Sequence, residues 1–253
     1  MPISTALVKE IEHKRKKVVS NPHFILHRGK RIPYSQGTKD IDAWLDERPH
    51  MKSRLSRARS KEEYARLMKS IKEGVENLRK AWYYALGLPN VLTEQAVLNI
   101  GSKVDPVNNN GFYRREELAL EHFSYTPPHP TRVRSSLITS LDSINTPQCS
   151  PIERAGMSHL FIVGIQPLSE GNKRTAGIVQ DRILYQEHLP PVVIPANERA
   201  QYLALLEAGL SDWKDKKAKG QRAFCDYIGE KVNITLDQVI THMNAYSRHR
   251  AAK

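Results

Sequence analysis

Gln166-Pro167-Leu168-Ser169-Glu170-Gly171-Asn172-Lys173-Arg174 joins two stretches that read as helices, and this junction decides the fold. Upstream, Ser150-Pro151-Ile152-Glu153 combines a capping box with proline at the first helical position. The helix it opens carries Ile152, Ala155, Gly156, His159, Ile162 and Val163. It is apolar round much of its circumference, which marks a central, buried rod. Pro167 disfavours helix in the residue before it, so this helix ends near Ile165. A second helix is expected from Arg174 to about His188, where Leu189-Pro190-Pro191 stops it.

The loop between them has the make-up of an anion pocket. The first N–H groups of a helix have no partner within it and carry partial positive charge. Gly171 lets the backbone approach a ligand without a Cβ in the way. Lys173 and Arg174 add formal charge, and the planar fork of Arg174 suits phosphate oxygens. Glu170 would repel a bare phosphate, but a carboxylate there suits Mg²⁺ carried in with the phosphates. Taken alone, the same string also fits a capped interhelical turn with surface charges.

Outward from the loop, other elements are legible. Ser60 as cap, Glu62 and Glu63 in the first turn, and Tyr64, Leu67, Ile71, Val75 and Leu78 at helical spacing predict a helix over 60–86. Gly87 and Pro89 end it. Thr93 opens another, to about Lys103. Asn108-Asn109-Asn110-Gly111 signals a turn, and Phe112 to Tyr125 suits a short hairpin. Helices are expected over 131–144, 197–209, 220–231 and 235–247. Residues 1–50 read as an irregular arm with a short helix near 5–17 and the apolar piece Phe24-Ile25-Leu26.

The net charge of +12 is uneven. Residues 1–90 hold 20 Lys+Arg against 10 Asp+Glu, and the remainder 19 against 17. A basic N-terminal region, with its cluster Lys14-Arg15-Lys16-Lys17, favours a polyanion such as nucleic acid, although basic residues on solvated helices give the same count. No apolar run approaches the about 20 residues that cross a bilayer. Charge near the N-terminus argues against a secretory signal. Cys149 and Cys225 form no CxxC pair, so a disulfide framework or zinc site is not expected, in keeping with a cytoplasmic protein.

The stretch from His159 through Gly177 resembles the signature HxFx(D/E)GNxRxxR of the Fic/Doc (Fido) family together with its preceding helix. Asn110-Gly111-Phe112-Tyr113-Arg114 is similar to the motif that opens the family's flap, and Tyr125-Thr126-Pro127-Pro128 to its Tyr-x-Pro-Pro. Tyr202-Leu203 and Phe224-x-x-Tyr227-Ile228 look like its closing helices; the resemblance covers about residues 65–230. It implies an all-α, Fic-like helical bundle with a small β-hairpin flap and a basic N-terminal extension. The corresponding division is 1–60 for the extension, 61–232 for the Fic-like domain and 233–253 for a C-terminal helix and tail.

The family's usual reaction is AMP transfer from ATP to a protein Ser, Thr or Tyr hydroxyl. By resemblance, ATP and Mg²⁺ are the cofactors and Glu170 the metal ligand. Gly171, Asn172, Lys173 and Arg174 hold the phosphates, and Phe112, Tyr113 and Arg114 belong to a flap that docks the target by strand addition. Three residues depart from the pattern. Gln166 stands where the family has its catalytic histidine, and an amide is no base near neutral pH. Losing a general base costs about 10²–10⁴ in rate. Gln166 could still bind a hydroxyl or a phosphate oxygen. Lys173 replaces a glycine, as in Doc-type members that transfer phosphate. Gly177 replaces the second arginine.

No other histidine is an evident substitute base. His159 lies two helical turns from Gln166, about 10 Å away, and His129 and His188 sit in loops. The family's inhibitory pattern (S/T)xxxE(G/N) fails at Lys69 to Gly74, because Lys69 stands four before Glu73. The reading is thus a Fic-type nucleotide-binding transferase of impaired activity. Its alternatives are an inactive pseudo-Fic acting through protein contacts, a Doc-like phosphotransferase, or a nucleic-acid binder using the basic N-terminus. The partner is a protein substrate or regulator, with an antitoxin-like partner left open.

Overall fold

Local capping chemistry sets several of the helix starts. Ser60 Oγ accepts from Glu63 N at 3.0 Å and Thr93 Oγ1 from Ala96 N at 3.2 Å. At Ser150 the capping box is reciprocal: Ser150 Oγ accepts from Glu153 N, and Glu153 Oε2 accepts from Ser150 N. The computed structural model describes residues 3–20, 49–120, 123–146, 148–215 and 217–251. Its helices are α1 (Thr5–Val19), α2 (Pro49–Ser56), α3 (Lys61–Leu86), α4 (Glu94–Val104), α5 (Pro130–Ile144), α6 (Pro151–Ile165), α7 (Asn172–Gln186), α8 (Arg199–Lys214) and α9 (Lys219–Ala251). A 3₁₀ turn at Ala196–Glu198 precedes α8. The fold is all-α. The apolar piece Phe24-Ile25-Leu26 lies outside the described residues.

α6 is the rod around which the others pack. Every residue from Ala155 to Ile165 is buried. α5, α7, α8 and α9 all lie against it, while α3 and α4 pack on α7. The helix pair α6–α7 and the loop between them therefore sit at the centre of the molecule.

Several expectations are corrected. The hairpin over Phe112 to Tyr125 is not formed: no strand occurs among the described residues. The carbonyls of Glu116 and Pro128 instead accept from the Arg114 guanidinium, so they are not offered to a ladder. The two helices expected over 220–231 and 235–247 are one continuous helix, α9. Asn233 between them does not break it: its side chain donates outward to Glu10, and Thr235 Oγ1 bonds back to Lys231 O. α7 begins two residues earlier than expected and ends before His188, whose φ of 62° closes the helix.

α1 is an integral element. It packs along α9, and Ile3, Ile11 and Val18 belong to the main core. Ile3 N donates to Glu153 Oε1 and Ser4 N to Asp226 Oδ1. Part of the basic cluster is spent inside the chain. Lys14 pairs with Glu10 and Asp237, and Arg15 pairs with Glu12 and donates to Glu187 O. Lys16 and Lys17 remain exposed. No described helix is long and apolar enough to cross a membrane.

Arg182 is 0% exposed and closes the C-terminal end of α3. Its Nε donates to Ala85 O at 2.9 Å, and its Nη2 to the carbonyls of Leu88 and Pro89. One guanidinium thus bonds the last turn of the helix and the turn that follows it. Arg182→Leu removes these bonds in the core and should destabilise the protein by about 2–4 kcal/mol. Urea unfolding followed by circular dichroism measures the loss; a change within 0.5 kcal/mol, on the order of an ordinary surface substitution, would contradict this role.

Candidate functional site

The site begins where α6 stops. Gln166 has φ 51° and ψ 61°, a left-handed residue that turns the chain sharply into Pro167. Its side chain is buried and bonded at both ends. Nε2 donates to Val163 O at 2.6 Å, and Oε1 accepts from Asn172 Nδ2 at 3.0 Å. Of the groups with which Gln166 could hold a hydroxyl or phosphate oxygen, one N–H and the carbonyl oxygen are thus already committed. They tie the end of α6 to the start of α7.

Asn172 is the other half of that tie. Its Oδ1 accepts from Leu168 N at 3.0 Å and its Nδ2 also donates to Leu168 O at 2.8 Å. The loop is thereby folded around one buried amide. Leu168 is fully buried over Gly101 of α4, where a Cβ would stand 2.3 Å from Leu168 Cδ1. Asn109, 4% exposed, braces the other side: its Oδ1 accepts from Glu170 N and its Nδ2 donates to the carbonyls of Glu170 and Gly101. From the sequence, Asn109 reads only as part of a turn.

Arg114 holds the loop from beneath. It is 3% exposed, its Nε donates to Gln166 O at 2.6 Å, and its backbone N donates to Pro167 O at 3.0 Å. It was expected on the face that docks a target; it points inward instead. Tyr113 likewise packs against the core with a buried hydroxyl, and burial pushes its pKa up to about 12. Phe112 alone of the three is exposed, at 67%. At the far end of this segment Phe123 lies under Lys173, whose Nζ is 5.1 Å from the ring centroid.

The charged groups line the loop's outer side. Gly171, at φ 75°, is the N-cap of α7 and offers no side chain to the helix's first N–H groups. The Arg174 guanidinium folds back across it, with Nη2 3.3 Å from the point where a Cβ of residue 171 would stand. Arg174 Nη2 also pairs with Asp105 Oδ2 at 3.2 Å. Glu170 is exposed. Among the described residues, no cluster of three or more His, Cys, Asp or Glu is arranged to hold a metal. A lone exposed carboxylate suits a cation that arrives with phosphate, since Mg²⁺ keeps several waters and takes one or two protein carboxylates.

Residues 91–184 match the model of the Fic/DOC family. That stretch is similar to a Fic/DOC domain. Over 127 residues it is 32% identical to a protein adenylyltransferase fic-1 of Caenorhabditis briggsae, a match spanning 49% of this chain and 24% of that protein. The chain thus spans about a quarter of that relative's length. In fold it is similar to a Fic-1 fragment from C. elegans, with TM-score 0.65 and 19% identity over 95% of this chain and 72% of that one. It is also similar to IbpAFic2 in complex with adenylylated Cdc42, with TM-score 0.52 and 17% identity over 89% and 87%.

The three histidines weighed from the sequence are engaged elsewhere. His159 is buried in α6, with Nε2 2.8 Å from Tyr202 Oη and its ring against Phe224. His129 caps α5, and His188 closes α7. Glu73, in the segment compared with the inhibitory pattern, is exposed on α3 and pairs with Lys69. Gly177 has open space around it: a Cβ there meets nothing within 4 Å.

Two expectations follow. Asn172→Ala removes the partners of Leu168 N–H, Leu168 C=O and Gln166 Oε1, and should cost about 2–3 kcal/mol in chemical denaturation. For His159, burial lowers the pKa from 6.5 to about 4. Between these values the unfolded chain binds a proton that the folded one does not, so stability falls as pH drops from about 6.5 towards 4. The loss should be on the order of 3 kcal/mol and absent in His159→Gln, when urea midpoints of the two proteins are compared across that window.

Proposed function

We propose that the loop binds ATP with Mg²⁺ and that the domain transfers AMP to a protein Ser, Thr or Tyr hydroxyl, at a rate lowered by Gln166. The observation that carries this reading is the end of α7: an N-terminus started by glycine, with no capping side chain, crossed by the Arg174 guanidinium. That arrangement is an anion cradle. The likeness to proteins named adenylyltransferases supports it.

Each residue then has a part. Gly171 admits the phosphate to the backbone, Asn172 keeps the loop in shape, and Lys173 and Arg174 neutralise phosphate oxygens. Glu170 would hold Mg²⁺, which supplies further neutralisation of the phosphates. The exposed Phe112 and the segment to Leu120 flank the entrance and would meet the target. In the reaction the hydroxyl oxygen attacks the α-phosphorus, the bond to the bridging oxygen breaks, and pyrophosphate leaves. The hydroxyl proton has no good acceptor, because the Gln166 amide is not basic and is already bonded to Val163 and Asn172. Positioning and charge stabilisation survive, at a cost of about 10²–10⁴ in rate.

That same bonding of Gln166 favours a second reading, in which the domain binds nucleotide but transfers nothing. Incubation of wild type, Gln166→His and Arg174→Ala with α-labelled ATP–Mg²⁺ and candidate protein targets separates the two. The proposal expects slow label transfer by wild type, abolished by Arg174→Ala and raised by Gln166→His. Transfer seen only after Gln166→His supports the second reading. Label passed from the γ position instead indicates a Doc-like phosphate transfer. If no variant binds ATP–Mg²⁺, both nucleotide readings fall.

A further inference from the structure

Arg174 is not held by the loop alone. Its Nη2 is 3.2 Å from Asp105 Oδ2, across 69 residues of sequence. Asp105 is the residue that ends α4. Its Oδ1 accepts from Asn108 N at 3.2 Å and Asn108 Nδ2 at 3.1 Å, its own N donates to Gly101 O, and its carbonyl accepts from Asn109 N. The carboxylate is therefore fixed in a turn, and Asn109 fastens that same turn to Glu170. The side chain of Asp105 is 16% exposed and that of Arg174 42%. The carboxylate is the fixed member of the pair and the long guanidinium side chain the movable one.

The charge of Asp105 is not explained by the helix it ends. A carboxylate at a helix C-terminus opposes the helix dipole, and an asparagine would accept the same two bonds from Asn108. What the charge does is occupy Arg174. We propose that Asp105 sets ligand choice at the loop: it competes for Arg174 as an internal anion, disfavouring bare phosphate and leaving metal-complexed polyphosphate as the ligand that enters. This rests on the reading of the loop as a phosphate site. A bare phosphate at Gly171 has to share the guanidinium with Asp105 and lies near its fixed negative charge. A polyphosphate that carries Mg²⁺ brings a cation that screens this charge and makes further contacts beyond Arg174.

The test is isothermal titration of the intact chain with inorganic phosphate and, separately, with ATP–Mg²⁺. Asp105→Asn should tighten inorganic phosphate by about tenfold and ATP–Mg²⁺ by only about twofold. In an Arg174→Ala background the same substitution should keep only the smaller gain from removing the charge itself, at most about twofold for either ligand. Asp105→Glu, which keeps the charge, should stay within about twofold of wild type for both ligands. Weaker binding by Asp105→Asn, matching the loss in Arg174→Ala, would make Asp105 a positioning residue and overturn the proposal. So would unchanged binding, equal gains for the two ligands, or an Asp105→Glu variant that behaves like Asp105→Asn. If ATP–Mg²⁺ binds to none of the proteins, wild type included, the reading of the loop itself fails and this inference goes with it. Thermal midpoints of each variant report whether the fold is kept.

Discussion

One buried guanidinium holds this site together. Arg114 takes the carbonyl at the end of α6, the carbonyls of Glu116 and Pro128, and through its backbone the carbonyl of Pro167. These groups come from segments that no regular secondary structure connects. A buried arginine is tolerated only when its donors are matched, and here backbone carbonyls match them. The consequence is mechanical. The turn at Gln166, the start of the loop and the extended segment after Gly111 are thereby fastened to one another.

On that base the site divides into a firm part and an adjustable part. Gln166, Leu168, Asn109 and Asn172 are buried and cross-bonded. Glu170, Lys173 and Arg174 are exposed on the loop's outer side. The residue at the position of the family's catalytic histidine belongs to the firm part. Its amide joins two helices, a task that needs a donor and an acceptor but no basicity. The binding half of the chemistry is consequently supported by more of the structure than the proton-transfer half.

What the sequence made legible was what is encoded locally. Ser60, Thr93 and Ser150 bond to backbone groups three residues on, and those helix starts were readable from the residue types. The glycine at the start of α7 and the apolar circumference of α6 were equally local. The rest depended on partners far along the chain. Arg114 meets Gln166 52 residues away, and Asn109 meets Glu170 61 away. Nothing in either neighbourhood signals that meeting. The hairpin was read from the turn signal at Asn108 to Gly111, but the Arg114 guanidinium holds the carbonyls of Glu116 and Pro128. The continuity of α9 was missed because its helix-neutral middle, around Asn233, is stabilised by contact with α1.

Two residues depart from the family pattern most sharply, and the structure shows that they are departures of different kinds. At Gly177 a Cβ would meet nothing within 4 Å, so a side chain can begin there without a clash. At position 166 the present side chain is a tie beam between α6 and α7, and its replacement must leave Asn172 and Val163 to find other partners. The first change is reversible by a single step; the second has become part of the architecture. A charge placed at 177 would thus begin in open space, whereas a base placed at 166 would also have to replace a tie between two helices.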